Sequence, residues 1–265
     1  MRNKIIEVAK TIVDVDYRET RTITERVFVQ LFGTKPQTER KQSLVSLHYI
    51  PSNLHNMYCD VNVRSISFNH LYADAMVDVY GDLVELASGY TVKNFIEDLR
   101  SLRKEYKVAY VRAIRESAES MQENARIQKA LKVILCSFVT HAVYAYDYGM
   151  SYNAIVSRAH MIMRDVIQDI AISGGVFMVA DVDTIIYGGE YIDVPNYDVH
   201  YDTHTAVIIG NNDVSYHLVD GRLKSRFGNN TKRCGRAVAR AVSETYQHFC
   251  LNDGWKEKQA AKSVK

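Results

Sequence analysis

From Thr91 onward no glycine or proline interrupts the chain before His141. The stretch "TVKNFIEDLRSLRKEYKVAYVRAIRESAESMQENARIQKALKVILCSFVTHA" lacks both strong helix breakers, so helix is its expected state. It is long enough for two antiparallel helices, and "ESAESMQEN", the most polar and least apolar-periodic part, is the expected turn. A helical hairpin is the economical reading, and the other elements are read around it.

Residues 1–80 are mixed: a helical pattern near Ile5 to Val13, then short β-rich runs such as "ERVFVQLF" and "MYCDVNVRSISF". No function attaches to this part from its residues. After the hairpin, "SYNAIVSRAHMIMRDVIQDIAI" is apolar at helical spacing and ends at Gly174-Gly175, a C-cap signal. Strands "HTAVIIG" and "VSYHLVDGRLKSRFG" follow, then a helix from about Cys234 to Cys250 and the solvated tail "KEKQAAKSVK".

Composition acts here by exclusion. No run in the 265 residues approaches the roughly 18 uninterrupted apolar residues of a membrane span. The start, "MRNKIIEVAKTIVDVDYRE", has no long apolar core or small-residue cleavage site, so no signal peptide and a cytoplasmic location are expected. Cys59, Cys136, Cys234 and Cys250 form no CxxC pair and read as reduced thiols. The net charge of +2 names no partner, but Gly221 to Arg240 holds seven Arg or Lys and no acid.

One further stretch carries chemistry. "GGVFMVADVDTIIYGG", Gly174 to Gly189, sets Asp181 and Asp183 one residue apart at the turn of an apolar, β-branched hairpin. Alternate strand residues point the same way, so the carboxylates share a face and repel unless a cation neutralises them. Hard oxygen ligands of this kind suit Mg²⁺ or Mn²⁺. The blander reading has one carboxylate solvated and the other capping the turn.

"MVADVDTIIY" resembles motif C of the family B (α-like) DNA polymerases, a hydrophobic strand, Tyr-x-Asp-Thr-Asp-Ser and a second hydrophobic strand. Ala180, Val182 and Thr184 depart from it and both aspartates remain. About fifty residues earlier, "KVILCSF" resembles motif B, Lys-xxx-Asn-Ser-x-Tyr-Gly, with Lys132 and Ser137 in place and Cys136, Val139 and Thr140 departing. About fifty residues before that, "DLVELASG" resembles motif A, Asp-xx-Ser-Leu-Tyr-Pro-Ser, with Asp82 and Leu86 in place and Glu85, Ala87, Ser88 and Gly89 departing. "EDLRSLRK" is similar to the first fingers helix, and "YHLVDGRLKSRFG" to the primer-side strands after motif C. The resemblance covers roughly Val79 to Arg240.

The resemblance implies an α+β fold: an antiparallel palm sheet flanked by helices, with a helical-hairpin fingers subdomain. Its parts would be an N-terminal region (1–78), a palm strand with motif A (79–90), the fingers hairpin ending in motif B (91–140), the palm with motif C (141–220) and a primer-side strand, thumb-base helix and tail (221–265). It implies template-directed addition of nucleotides to a primer 3′-hydroxyl, with two Mg²⁺ or Mn²⁺ ions. Asp82 and Asp183 would bridge the ions and Asp181 support them. Arg100, Lys104 and Lys132 would meet the triphosphate, with Leu86 beside the nucleotide. Arg222, Lys224, Arg226, Lys232 and Arg233 would face the primer-template DNA.

Each residue also has an ordinary reading. Asp82 reads as an N-cap, Arg100 and Lys104 as a solvated face pairing with Glu97 and Asp98, and Lys132 as a snorkelling side chain. "HYDTH", His200 to His204, lacks a third metal ligand, and the eighteen tyrosines fall at core-like spacings. Ala87 falls where the family has the Tyr that excludes a ribose 2′-hydroxyl. The length implies one chain of a split polymerase, with a second polypeptide supplying exonuclease and thumb, or a reduced viral form, with a phage as the expected source. The alternatives are a non-catalytic polymerase-like DNA-binding or replication scaffold, and a helical protein-interaction module. The enzyme reading expects Asp82 and Asp183 on neighbouring strands.

Overall fold

The computed structural model describes residues 1–13, 20–33, 48–49, 54, 58–59, 62–114, 117–139, 149–204, 206–209, 215–219 and 223–227. It is α+β and divides into two compact units. One comprises Met1–Leu44 and Tyr72–Ala159, the other Val45–Leu71 and His160–Lys265.

The first unit is helical. Helices α4 (Val92–Ala113) and α5 (Ala118–Ser137) form the expected antiparallel hairpin. The second helix starts earlier than expected, because Ser117 caps α5 by accepting a hydrogen bond from the Ser120 N–H. Most of "ESAESMQEN" is therefore helix. At the other end Thr91 and Asn94 form a reciprocal capping box, which satisfies two backbone N–H groups at the start of α4.

Helices α1 (Arg2–Thr11) and α2 (Thr20–Phe32) belong to the same unit. Arg2 pairs with Glu105 at 2.6 Å and with Asp98 at 3.4 Å, tying α1 to α4. The run "ERVFVQLF", expected as strand, is helix because its aromatics find partners only at helical spacing. Phe28 stacks on Phe138 at 5.6 Å, and Phe32, four residues on, meets Phe95 edge to face at 5.5 Å. Phe95 in turn packs on Phe138 at 4.8 Å. Truncating a ring as enclosed as Phe138 costs about 3–5 kcal/mol. In the same core Thr24 donates its hydroxyl hydrogen to the Ser137 carbonyl at 3.1 Å.

The second unit carries two antiparallel sheets. One has the order β1-β6-β7-β3-β8, with β1 His48–Tyr49, β3 Val63–Phe68, β6 Val176–Asp181, β7 Thr184–Gly188 and β8 Val199–His204. The other has the order β11-β10-β9-β2, with β2 Tyr58–Cys59, β9 Ala206–Ile209, β10 Ser215–Val219 and β11 Leu223–Phe227. Val63, Val179 and Ile186 of the first and Val207, Ile209 and Leu218 of the second share one buried apolar cluster. All five residues of β7 are buried, as suits a strand covered on both faces.

Helix α6 (Tyr152–Ile172) leads into this hairpin through the expected glycine cap. Gly174, at φ 77°, donates to the Ala171 carbonyl and Gly175 to the Ile170 carbonyl, the paired bonds of a Schellman stop. The helix expected at Cys234–Cys250 lies outside the described residues, as do Arg222, Lys232 and Arg233. Among the described residues no helix is long and apolar enough to cross a membrane.

The 79–90 segment departs from its expectation as a strand of the large sheet. Asp82 lies in the turn after α3 (Leu71–Tyr80), and β4 (Glu85–Ala87) pairs with β5 (Tyr90–Thr91) in a separate two-stranded sheet. Residues 1–78 contribute α1 and α2 to the helical unit and β1, β2 and β3 to the sheets of the other.

Candidate functional site

The β6–β7 hairpin closes through two residues, Val182 and Asp183, between the paired Asp181 and Thr184. Val182 takes φ 57°, a conformation that a turn of this kind ordinarily gives to glycine and that a β-branched side chain resists. The backbone holds Asp183 from both sides. Its N–H donates to the Asp181 carbonyl at 2.7 Å, and its own carbonyl accepts from the Phe68 N–H at 2.8 Å. The position of this carboxylate is therefore set by main-chain bonds from its own turn and from the neighbouring strand.

Directly opposed residues of antiparallel strands share a face. Register places Asp181 opposite Thr184, Thr184 opposite Ser67, and Ser67 opposite His200, with His48 across from Asp181 on β1. Thr184, 2 % exposed, donates to Asp183 Oδ1 at 3.2 Å. A threonine hydroxyl has one hydrogen, so Ser67 must be the donor in its 3.0 Å contact with Thr184. The result is a directed chain, Ser67 to Thr184 to the Asp183 carboxylate. Both aspartates are half-buried.

The strands flanking the hairpin are thus β1 and β3, and the residue beside Thr184 is Ser67. Asp82 is on neither strand. Its side chain is 76 % exposed and pairs with Lys93 at 3.4 Å, a surface contact worth little. The expectation that Asp82 and Asp183 occupy neighbouring strands is corrected accordingly. On the strand that does flank the hairpin, the residue opposite Thr184 is a serine, Ser67, and not an acid.

The remaining residues separate into those with a structural task and those open to solvent. Arg100 is held by Asp74 at 2.6 Å rather than by Glu97 or Asp98. Lys104 and Lys132 are exposed, on α4 and α5, whereas Leu86 is buried in β4. Lys224 and Arg226 take alternate positions of β11, opposite Leu218 and Tyr216. On β8, His200 pairs with Asp202 at 3.2 Å, and buried His204 shares a 2.8 Å hydrogen bond with Ser65, a structural use of "HYDTH".

Among the described residues no three His, Cys, Asp or Glu side chains gather as a metal site. Asp181 and Asp183 are the described residues whose hard oxygens would suit a divalent ion. They do not fit a pair of ions, which needs further carboxylate oxygens to share.

The fold, with its antiparallel sheet bearing a two-aspartate hairpin and its capped helical hairpin, is polymerase-like. The solved family B DNA polymerase from the hyperthermophilic archaeon Pyrobaculum calidifontis is similar, with a TM-score of 0.55 at 13% identity over 84% of this chain. The match takes in 35% of the length of that polymerase. No protein-family model and no curated protein matches the sequence.

Proposed function

We propose that the chain is a palm-and-fingers polypeptide of the family B polymerase kind, which engages primer-template DNA and a nucleoside triphosphate. One observation carries this reading: two aspartates at a main-chain-fixed hairpin turn in the middle of an antiparallel sheet. Two carboxylates set this close in sequence repel each other, and a divalent ion arriving with an anionic ligand relieves that repulsion. Asp181 and Asp183 would hold a Mg²⁺ or Mn²⁺ ion delivered on the triphosphate. Such an ion supplies charge neutralisation at the phosphates. Within the helical unit, exposed Lys104 and Lys132 are assigned to the triphosphate, and Lys224 and Arg226 of β11 to the DNA backbone.

A second reading, a polymerase-like scaffold that binds DNA without extending it, is favoured by Ser67 standing where an acid would complete the cluster. Primer extension with Mg²⁺ or Mn²⁺, by the chain alone and with candidate partner chains, decides between them when DNA binding is measured in parallel. Extension abolished by Asp183→Ala supports the enzyme; DNA binding without extension selects the scaffold. Failure of both sinks the two readings together and leaves the protein-interaction module.

A further inference from the structure

We infer that Ser67 is the residue that withholds a two-ion centre from this palm, so that the chain's own side chains retain at most one divalent cation. The inference rests on the polymerase-like reading of the hairpin. Its carrier is the row across the sheet, in which Ser67 lies directly opposite Thr184, itself opposite Asp181. A side chain at position 67 shares the face of Asp181, and a hydroxyl there reaches Thr184 at 3.0 Å.

The hydroxyl chain also uses one of the oxygens a cation would need. Thr184 donates to Asp183 Oδ1, and Ser67, by donating to Thr184, leaves that hydrogen committed to the carboxylate. Serine is neutral and contributes a weak ligand oxygen, whereas an ionised carboxylate contributes charge and two strong ones. Among the described residues, the difference between one cation and two therefore lies at a single position, already within reach of the hairpin. Aspartate at 67 would put a third negative charge beside two others, an arrangement costly without metal and relieved by it.

The test is Mn²⁺ binding to the full chain, followed by electron paramagnetic resonance of the free ion, with thermal unfolding recorded with and without Mn²⁺. Wild type is expected to take up no more than one ion per chain, with a small shift in Tm. Ser67→Asp is expected to bind Mn²⁺ at least about tenfold tighter, and to have a Tm that falls without metal and recovers with it. Ser67→Asn, uncharged and similar in size, should behave as wild type. Two ions retained by wild type at protein-stoichiometric concentration would overturn the inference, as would Ser67→Asp binding no tighter than Ser67→Asn. If the aspartate variant does not fold, the wild-type stoichiometry alone decides. DNA binding by wild type, measured separately, reports on the polymerase-like reading and not on Ser67.

Discussion

A β-carbon on Gly189 would stand 2.9 Å from the Cα of Gly175, so the glycines bracketing the aspartate hairpin meet backbone to backbone. Gly189 also takes φ 142°, which side-chain-bearing residues rarely adopt. Gly189→Ala is therefore expected to cost about 1–3 kcal/mol, measured by urea unfolding. A loss inside the roughly 0.5 kcal/mol of ordinary surface changes would show that the close approach is not needed.

The hairpin turn should behave in the opposite sense. Val182 is 37 % exposed and holds φ 57°, so its side chain gains little from burial while the backbone is strained. Replacing it with glycine removes strain of about 1–3 kcal/mol, against an unfolded-state entropy cost of about 0.5–1 kcal/mol. Val182→Gly is expected to raise Tm in differential scanning calorimetry. An unchanged or lower Tm would mean that the valine is at ease in this turn.

These two positions also bear on how much of the fold is legible in the sequence. The hairpin was legible because its apolar run, its glycine brackets and its central aspartates all act locally. Helix α2 was not. "ERVFVQLF" carries strand-like residues, and only the packing of Phe28 and Phe32 against Phe138 and Phe95, distant in sequence, selects helix. Asp82 misled for a related reason. The strand beside the hairpin, β3, carries Ser67 opposite Thr184, and strand order depends on pairing between segments over a hundred residues apart. The early start of α5 rests on a single cap, Ser117.

His160 gives the fold a pH dependence. Its Nε2 is buried without a hydrogen-bond partner among the described residues, and burial lowers its pKa below the ordinary 6.5. The unfolded chain therefore takes up the proton first. The stabilising contribution is complete above the unfolded value and is lost as pH falls from there through the lower folded value. Thermal unfolding should show a falling midpoint as pH drops below about 6.5, and His160→Leu should flatten that fall. A variant with the same acid slope as wild type would assign the effect to other groups.

Arg100 and Lys132, both expected at the triphosphate, are predicted to part company. Arg100 is engaged by Asp74 at 2.6 Å, and both side chains are largely enclosed. Arg100→Met leaves the Asp74 carboxylate without this partner, at a cost of about 1–3 kcal/mol in stability. Lys132 is exposed on α5, so its removal leaves the core intact. Losing one charge-assisted contact of about 1.5 kcal/mol weakens triphosphate binding roughly tenfold. Isothermal titration with a Mg²⁺–nucleoside triphosphate, beside a melting curve for each variant, separates the two effects. Lys132→Ala should lower affinity at constant Tm, and Arg100→Met should lower Tm. If Lys132→Ala instead melts early and binds normally, its ammonium group supports the helix and the triphosphate assignment passes to Lys104.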